Sequence, residues 1–196
     1  MSAFTWPPED SAAGITRPEP VEQVAAAVLV PLYLAGDDEE PHLVLTRRRA
    51  DLRRHAGEIS FPGGRRDAED LDLTDTALRE AEEEIGLERS QVRMIAELPP
   101  TSTFATNYVI HPFVGTIPVG ITWRPSAREV DAVLELPLGA VRAGKTRTQM
   151  ERRGIRFETD AFIVDEHLIW GATARIIENL LERLPEGAAL ETLAEL

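Results

Sequence analysis

Apolar and polar positions alternate along this chain in two distinct periods, and the change of period marks its elements. From Val24 to Leu34 an almost unbroken apolar run predicts a buried strand, with Pro31 implying a bulge or an edge position. The polar stretch Gly36 to Pro41 reads as a turn, and His42 to Thr46 as a returning strand, so the pair is expected to form a hairpin. Glu58 to Phe61 predicts a short third strand that ends in the turn Pro62-Gly63-Gly64. Thr74 to Ile85 carries helical spacing: Ala77, Leu78, Ala81 and Ile85 share a face suited to a sheet, and Gly86 supplies the C-cap.

Further on, Val92 to Leu98 and Tyr108 to Ile117 read as strands separated by the polar loop Pro99 to Asn107. Val130 to Leu136 is another apolar run, closed by Pro137. Alternation around Arg153-Gly154 and Asp165-Glu166-His167 predicts a small meander from Arg147 to Ile169. The last element is a helix over Gly171 to Leu184, with Ile177, Leu180, Leu181 and Leu184 as its apolar stripe. Residues 1–21 hold four prolines and predict an extended arm; residues 22–196 form one domain. Strands before, between and after two main helices indicate an α/β fold with a mixed sheet and helices on both faces.

Composition narrows the function classes. At 43% apolar and 28% charged, the chain has the balance of a globular domain, and 196 residues suffice for one core. It contains no long apolar run and no basic-then-apolar start, so neither a membrane span nor a signal peptide is expected. The absence of cysteine excludes disulfides and thiolate metal sites, and cytoplasmic localisation is the expectation. A net charge of −13 argues against broad nucleic-acid or anionic-membrane binding.

That charge is unevenly spread. Arg47, Arg48, Arg49, Arg53, Arg54, Arg65 and Arg66 place seven of the 21 cationic residues within twenty positions. Directly after them, nine carboxylates lie between Asp67 and Glu84. Glu80, Glu83 and Glu84 stand at i, i+3 and i+4, which puts them on one helix face, where they repel one another unless a cation binds. A hard divalent metal is the natural candidate, since Mg²⁺ takes carboxylate oxygens together with substrate phosphates. The glycine pair brings backbone close to such a ligand, so a carbonyl of Gly63 or Gly64 is a candidate neutral oxygen donor. This set suits attack of water on phosphorus, with a spare carboxylate taking the proton. Arg79 lies four residues before Glu83 and is placed to pair with it, either as a helix ion pair or as the group that orients a metal ligand.

The run from Gly64 to Leu87 resembles the Nudix box: Arg79, Glu80, Ala81, Glu83, Glu84, Gly86 and Leu87 match its second half. In the first half Asp70 stands where glutamate is usual, and eight residues rather than seven separate it from Arg79. That shift is similar to the coenzyme A pyrophosphatase branch of the family. A second motif points the same way: Val44-Leu45-Thr46-Arg47-Arg48-Arg49, then Arg53, then Gly57-Glu58-Ile59-Ser60-Phe61-Pro62-Gly63-Gly64, in which Val44 and Arg49 are the departures. Leu98-Pro99-Pro100, Pro112-Phe113-Val114-Gly115 and Trp170-Gly171-Ala172-Thr173-Ala174 also resemble that branch, so the likeness spans about residues 24 to 184.

The resemblance implies a Nudix-type α/β/α sandwich and a hydrolase dependent on Mg²⁺ or Mn²⁺. On the coenzyme A branch its products are 3′,5′-ADP and a 4′-phosphopantetheine. Carried over by position, Glu80, Glu83, Glu84 and a carbonyl of Gly63 hold metal. These three glutamates with Arg79 form the catalytic set, and Arg48, Arg53, Phe61, Gly63 and Gly64 contact a coenzyme A-like substrate. Phe104 and Tyr108 are candidates for stacking on adenine, and Glu129 for an extra carboxylate. A homodimer is the assembly implied. Other nucleoside diphosphate derivatives (ADP-ribose, a nucleotide sugar, NADH, a nucleoside triphosphate) compete as substrates. A non-catalytic nucleotide sensor competes as a different class, against which the retained Glu80, Glu83 and Glu84 speak.

Overall fold

A computed structural model of the chain describes residues 23–36, 39–51, 57–103, 107–152 and 154–195. The proposed N-terminal arm lies outside them. No helix among the described residues is long and apolar enough to cross a membrane.

The core strand is β1 (Val24–Ala35). Its side chains alternate between two buried faces: Ala27, Leu29 and Tyr33 enter one apolar cluster, Val30 and Leu32 the other. A strand covered on both faces needs apolar residues at nearly every position, which is why the sequence shows a run there rather than an alternation. β1 pairs in parallel with β7 (Tyr108–Thr116) and antiparallel with β2 (Glu40–Arg48). The large sheet runs β3-β2-β1-β7-β5, where β3 is Ile59–Ser60 and β5 is Arg93–Glu97. β4 (Gly63–Arg65) adds to β1, β6 (Thr101–Ser102) to β7, and β8 (Val130–Pro137) to β2.

One face of this mixed sheet carries α1 (Leu73–Ile85), whose Ala77, Ala81 and Ile85 are fully buried. The other carries α2 (Leu138–Ala143), α3 (Gly171–Arg183) and an antiparallel three-stranded sheet of β9 (Lys145–Arg152), β10 (Ile155–Val164) and β11 (His167–Trp170). Phe162, Ile169, Ile176, Ile177 and Leu180 fill the space between. The result is the expected α/β layering with helices on both sides of a mixed sheet.

Three local expectations are corrected. Pro31 lies in a central strand, opposite Gly115 of β7. Leu32 accepts a hydrogen bond from Ile117 on the β7 side, while the Leu29 N–H donates to Pro62 on the other. Alternation therefore turns the Pro31 nitrogen toward the stretch where β4 has ended, at Val28, and β2 pairing, from Leu32, has not begun. No ladder bond is lost, which is how a central strand tolerates proline. Gly63 and Gly64 are not a turn but part of β4, paired with Val28 and Ala27. Finally, the short β6 arises in the segment expected to be a polar loop, and α2 in one for which no element is predicted.

The two glycines of β4 are required by space. A Cβ on Gly63 would sit 2.4 Å from the Ala27 carbonyl oxygen and 2.6 Å from the Val28 Cα, both backbone atoms of the central strand. Only a shift of β1 against β4 relieves that overlap. Gly63→Ala is therefore expected to destabilise the domain by roughly 2 kcal/mol or more, read from the denaturant midpoint. An unchanged midpoint would show that β4 is not packed as described.

Candidate active site

The acidic run after β4 separates into parts with different duties. Asp72 is the N-cap of α1, accepting the Asp75 N–H at 2.8 Å, and Asp75 returns the favour to the Leu71 N–H at 3.1 Å. This reciprocal cap starts the helix one residue before the expected Thr74. At the far end Gly86 adopts φ 70°, and its N–H and that of Leu87 close onto the last turn. Arg89 pairs with Asp75 and Glu82. Caps and surface pairs thus absorb Asp72, Asp75 and Glu82.

Asp70 has a different task. It is 5% exposed, and its carboxylate accepts from the Asp67 N–H at 2.8 Å, from the Thr76 hydroxyl at 2.8 Å, and from Arg79 Nε at 2.8 Å and Nη2 at 3.1 Å. The two-pronged bond from Arg79 holds the Asp70 carboxyl well below the usual carboxylate range, aided by the Asp67 N–H and Thr76 and opposed by burial. With one edge fixed in this way, the Arg79 fork has its Nη1 left for Glu80 (2.9 Å) and Glu83 (3.4 Å), while Nη2 also donates to the Arg65 carbonyl at 3.3 Å. Arg79 therefore ties the end of β4, the loop after it and two of the three glutamates into one unit.

The three glutamates meet unequal surroundings. Glu83 has a side chain 60% exposed, Glu80 is half-buried, and Glu84 is 5% exposed. Burial pushes the Glu84 carboxyl up to about 7; the Gly63 N–H, 3.3 Å from Oε2, and Arg48 pull the other way, and Glu80 and Glu129 add to the rise. Burial likewise raises Glu80, against the pull of Arg79. Beside Glu80 the backbone comes unusually close: a Cβ on Gly64 would lie 2.4 Å from Glu80 Oε1.

Arg48 at the end of β2 and Glu129 just before β8 complete the arrangement. A register shift between Arg47 and Arg48 in the β2–β8 pairing re-aims these side chains, as bulges beside active sites do. Arg48 Nη1 lies 3.6 Å from Glu84 Oε1 and Nη2 3.4 Å from Glu129 Oε2. The C-terminal carbonyls of α1 explain how Glu129 arrives: the Arg124 N–H caps Ile85 at 3.0 Å, the Ser126 N–H caps Glu84 at 2.8 Å, and the Glu129 N–H then closes on Ser126. Spacing along the sequence gives no sign of this contact across 81 residues.

Placement of the remaining expected residues follows. Gly63, Gly64, Arg79, Glu80, Glu83, Glu84 and Arg48 come together. Phe61, expected at the substrate, is instead buried in the main core and closed to solvent. Arg53 and Phe104 lie outside the described residues; Tyr108 is half-buried at the start of β7. Within the described part of the basic block, Arg47 pairs with Asp131 at 2.8 Å, and Arg49 grips Asp51 through two bonds and the Ala127 carbonyl at 2.7 Å.

Among the described residues no three carboxylates already converge as a metal cage; each of the three glutamates faces an arginine. The donor set nevertheless fits a hard divalent cation: all its donors are oxygens, Glu84 is buried among other carboxylates, and the Gly64 backbone lies where any side chain would displace Glu80.

Residues 23–156 match the NUDIX domain. This chain is a member of the Nudix hydrolase family. It is 37% identical over 161 residues to the uncharacterized Nudix hydrolase NudL of Photorhabdus laumondii, covering 81% of this chain and 84% of that one. With the protein of the same name from Salmonella paratyphi B it shares 38% over 164 residues, 83% of each. Among solved structures, a MutT/nudix family protein from Enterococcus faecalis superposes with a TM-score of 0.57 at 14% identity, over 92% of this chain and 69% of that one. The NUDIX domain of Shewanella oneidensis NrtR, solved with ADP ribose, gives 0.52 at 17%, over 86% and 94%. These two share the fold. The chain is accordingly an enzyme of the pyrophosphatase kind, a Nudix hydrolase of a nucleoside diphosphate derivative that works with divalent metal.

Asp70→Asn keeps the shape of the clamp and removes its charge, leaving Arg79 buried beside Glu80 without its main partner. A loss of about 3 kcal/mol in unfolding free energy is expected at pH 7. The wild-type Asp70 contribution is fully present above its unfolded value of 3.8 and fades as pH falls below it, toward the depressed folded value. The gap between wild type and Asp70→Asn in urea titrations should therefore narrow below about pH 4; a gap independent of pH would count against the pair.

Proposed function

We propose that the enzyme hydrolyses the diphosphate of coenzyme A or its derivatives to 3′,5′-ADP and a 4′-phosphopantetheine, with Mg²⁺ or Mn²⁺. The observation that carries this reading is the contact of Arg48 with Glu84: the motif that precedes the Nudix box and the box itself meet at one carboxylate. Glu80, Glu83, Glu84 and the Gly63 carbonyl are the groups that would hold the metal. Bound there, it would neutralise phosphate oxygens and acidify a water nucleophile.

The side chains of this chain supply the rest. Arg48, with Arg53 from the same motif, provides the planar donors that suit phosphate oxygens. Arg79, fixed by Asp70, positions Glu80 and Glu83. Phe61, two residues before Gly63, is anchored in the main core. Because Glu83 is the exposed member of the three, its substitution tests chemistry apart from folding.

Incubation with Mg²⁺ or Mn²⁺ and a panel of coenzyme A, ADP-ribose, NADH and nucleoside triphosphates is expected to cleave coenzyme A to the two named products. If coenzyme A stays intact while another compound is cut, the substrate assignment fails and the hydrolase remains; if nothing is cut, the sensor reading gains. Glu83→Gln is expected to lower kcat by on the order of 100-fold or more with an unchanged denaturant midpoint.

Glu84 yields a separate expectation. Its raised value means that a metal taking this carboxylate must expel its proton at acid pH. Metal binding should release roughly one proton at pH 6 and almost none at pH 8.5, measured by calorimetry in buffers of different ionisation enthalpy. Equal release at both pH values would remove Glu84 from the ligand set.

A further inference from the structure

The arginines around the carboxylates are held with very different strength. Arg79 is locked by the two-pronged bond to Asp70, Arg47 by Asp131 at 2.8 Å, and Arg49 by Asp51 on two prongs at 2.8 and 2.9 Å. Among the described residues, Arg48 alone of these four has only long side-chain contacts, 3.6 Å to Glu84 and 3.4 Å to Glu129, the first beyond hydrogen-bond range. Its backbone is nonetheless fixed: the N–H donates to the Glu58 carbonyl at 3.0 Å and its carbonyl accepts from Gly57 at 3.2 Å. The anchor is firm and the guanidinium is loose.

The carboxylate it faces is in the opposite position. Glu84 is buried, with Glu80 and Glu129 adding negative charge around it, so an ionised Glu84 needs a cation close by. A single charge at 3.6 Å is a weak answer to that need, and a divalent ion bonded to the oxygen is a strong one. Arg48 and the ion cannot both be its main countercharge, since like charges at that separation repel.

We propose that Arg48 is the exchangeable counter-ion of the carboxylate site, held by Glu84 and Glu129, yielding Glu84 to a divalent cation and thereby freed to grip the substrate's diphosphate. This rests on the metal and diphosphate reading above and adds to it an order: metal and substrate anion bind with positive coupling because one side chain passes from the first to the second. Linkage requires that anything removing Arg48 from Glu84 tightens the metal, and that metal in turn tightens the anion.

The test is the Mn²⁺ affinity of the full chain without substrate, read by electron paramagnetic resonance of the free ion. Arg48→Gln is expected to bind Mn²⁺ about tenfold more tightly than wild type while its KM for the cleaved substrate rises, two opposite effects from one substitution. Arg47→Gln removes the same charge one position away and is expected to leave Mn²⁺ affinity unchanged. The proposal is overturned if Arg48→Gln binds Mn²⁺ no more tightly, or if Arg47→Gln tightens it equally, which would mark a diffuse field effect. If instead Glu84→Gln leaves Mn²⁺ affinity intact, the metal site itself is elsewhere and the underlying reading falls with the proposal.

Discussion

The Asp70–Arg79 ion pair is the constraint from which the site's geometry follows. Burying two charges is costly, and a pair of this kind adds little net stability over apolar packing of the same volume. Its value lies in position. Asp70 is held from three directions, by the Asp67 N–H, the Thr76 hydroxyl and the Arg79 fork, so the loop after β4 has one permitted conformation. The planar guanidinium transmits that constraint: once Nε is on Asp70, Nη1 and Nη2 have fixed directions, toward Glu80, Glu83 and the Arg65 carbonyl. A lysine has no second edge to carry this.

Against that rigid half stands an electrostatically strained one. Glu84 is driven into the interior because it lies on the same helix turn as Ala81 and Ile85, both fully buried against the sheet. The protein partly compensates with one backbone N–H and a distant arginine. A fold selected only for stability would not leave a carboxyl with its value raised to about 7 beside two other carboxylates. The cost is understandable if a cation belongs there, and it is the same feature that makes the Arg48 contact exchangeable.

Much of this was legible in the sequence, for identifiable reasons. Period and capping locate α1 to within one residue, Gly86 as its stop, and six of the eight described strands of the large sheet, all but β4 and β6, because those signals are local. The three-residue and four-residue spacing of Glu80, Glu83 and Glu84 put them on one face, but could not say that this face runs from open to buried, since burial is set by what packs there. The glycine pair was read correctly as a close backbone approach and wrongly as a turn: the approach is made by a strand on a strand. Pro31 was read from a rule about ladders whose exception needs the register of two different partners. The arginine block cannot be sorted by spacing alone. Its pairing with Asp131, Glu129 and the Ala127 carbonyl depends on a bulge between β2 and β8, joining residues about eighty positions apart.

The same distinction separates the chemistry of the site from its selectivity. The groups proposed to hold metal sit within twenty-two residues, on β4 and α1, and are set mainly by contacts internal to that unit. Recognition is proposed to fall to arginines at the end of β2, outside that unit, and in a chain of net charge −13 Arg47 and Arg48 already face carboxylates. An anionic substrate that takes Arg47 or Arg48 must therefore compete against an internal partner. The partner's hold, more than the number of arginines, decides which is available: two-pronged bonds keep Arg49 and Arg79 structural, and the long contacts of Arg48 leave it free to respond. Selectivity among diphosphates can then change by tightening or loosening one ion pair, with the box carboxylates untouched, which is how a single hydrolytic unit can serve different substrates.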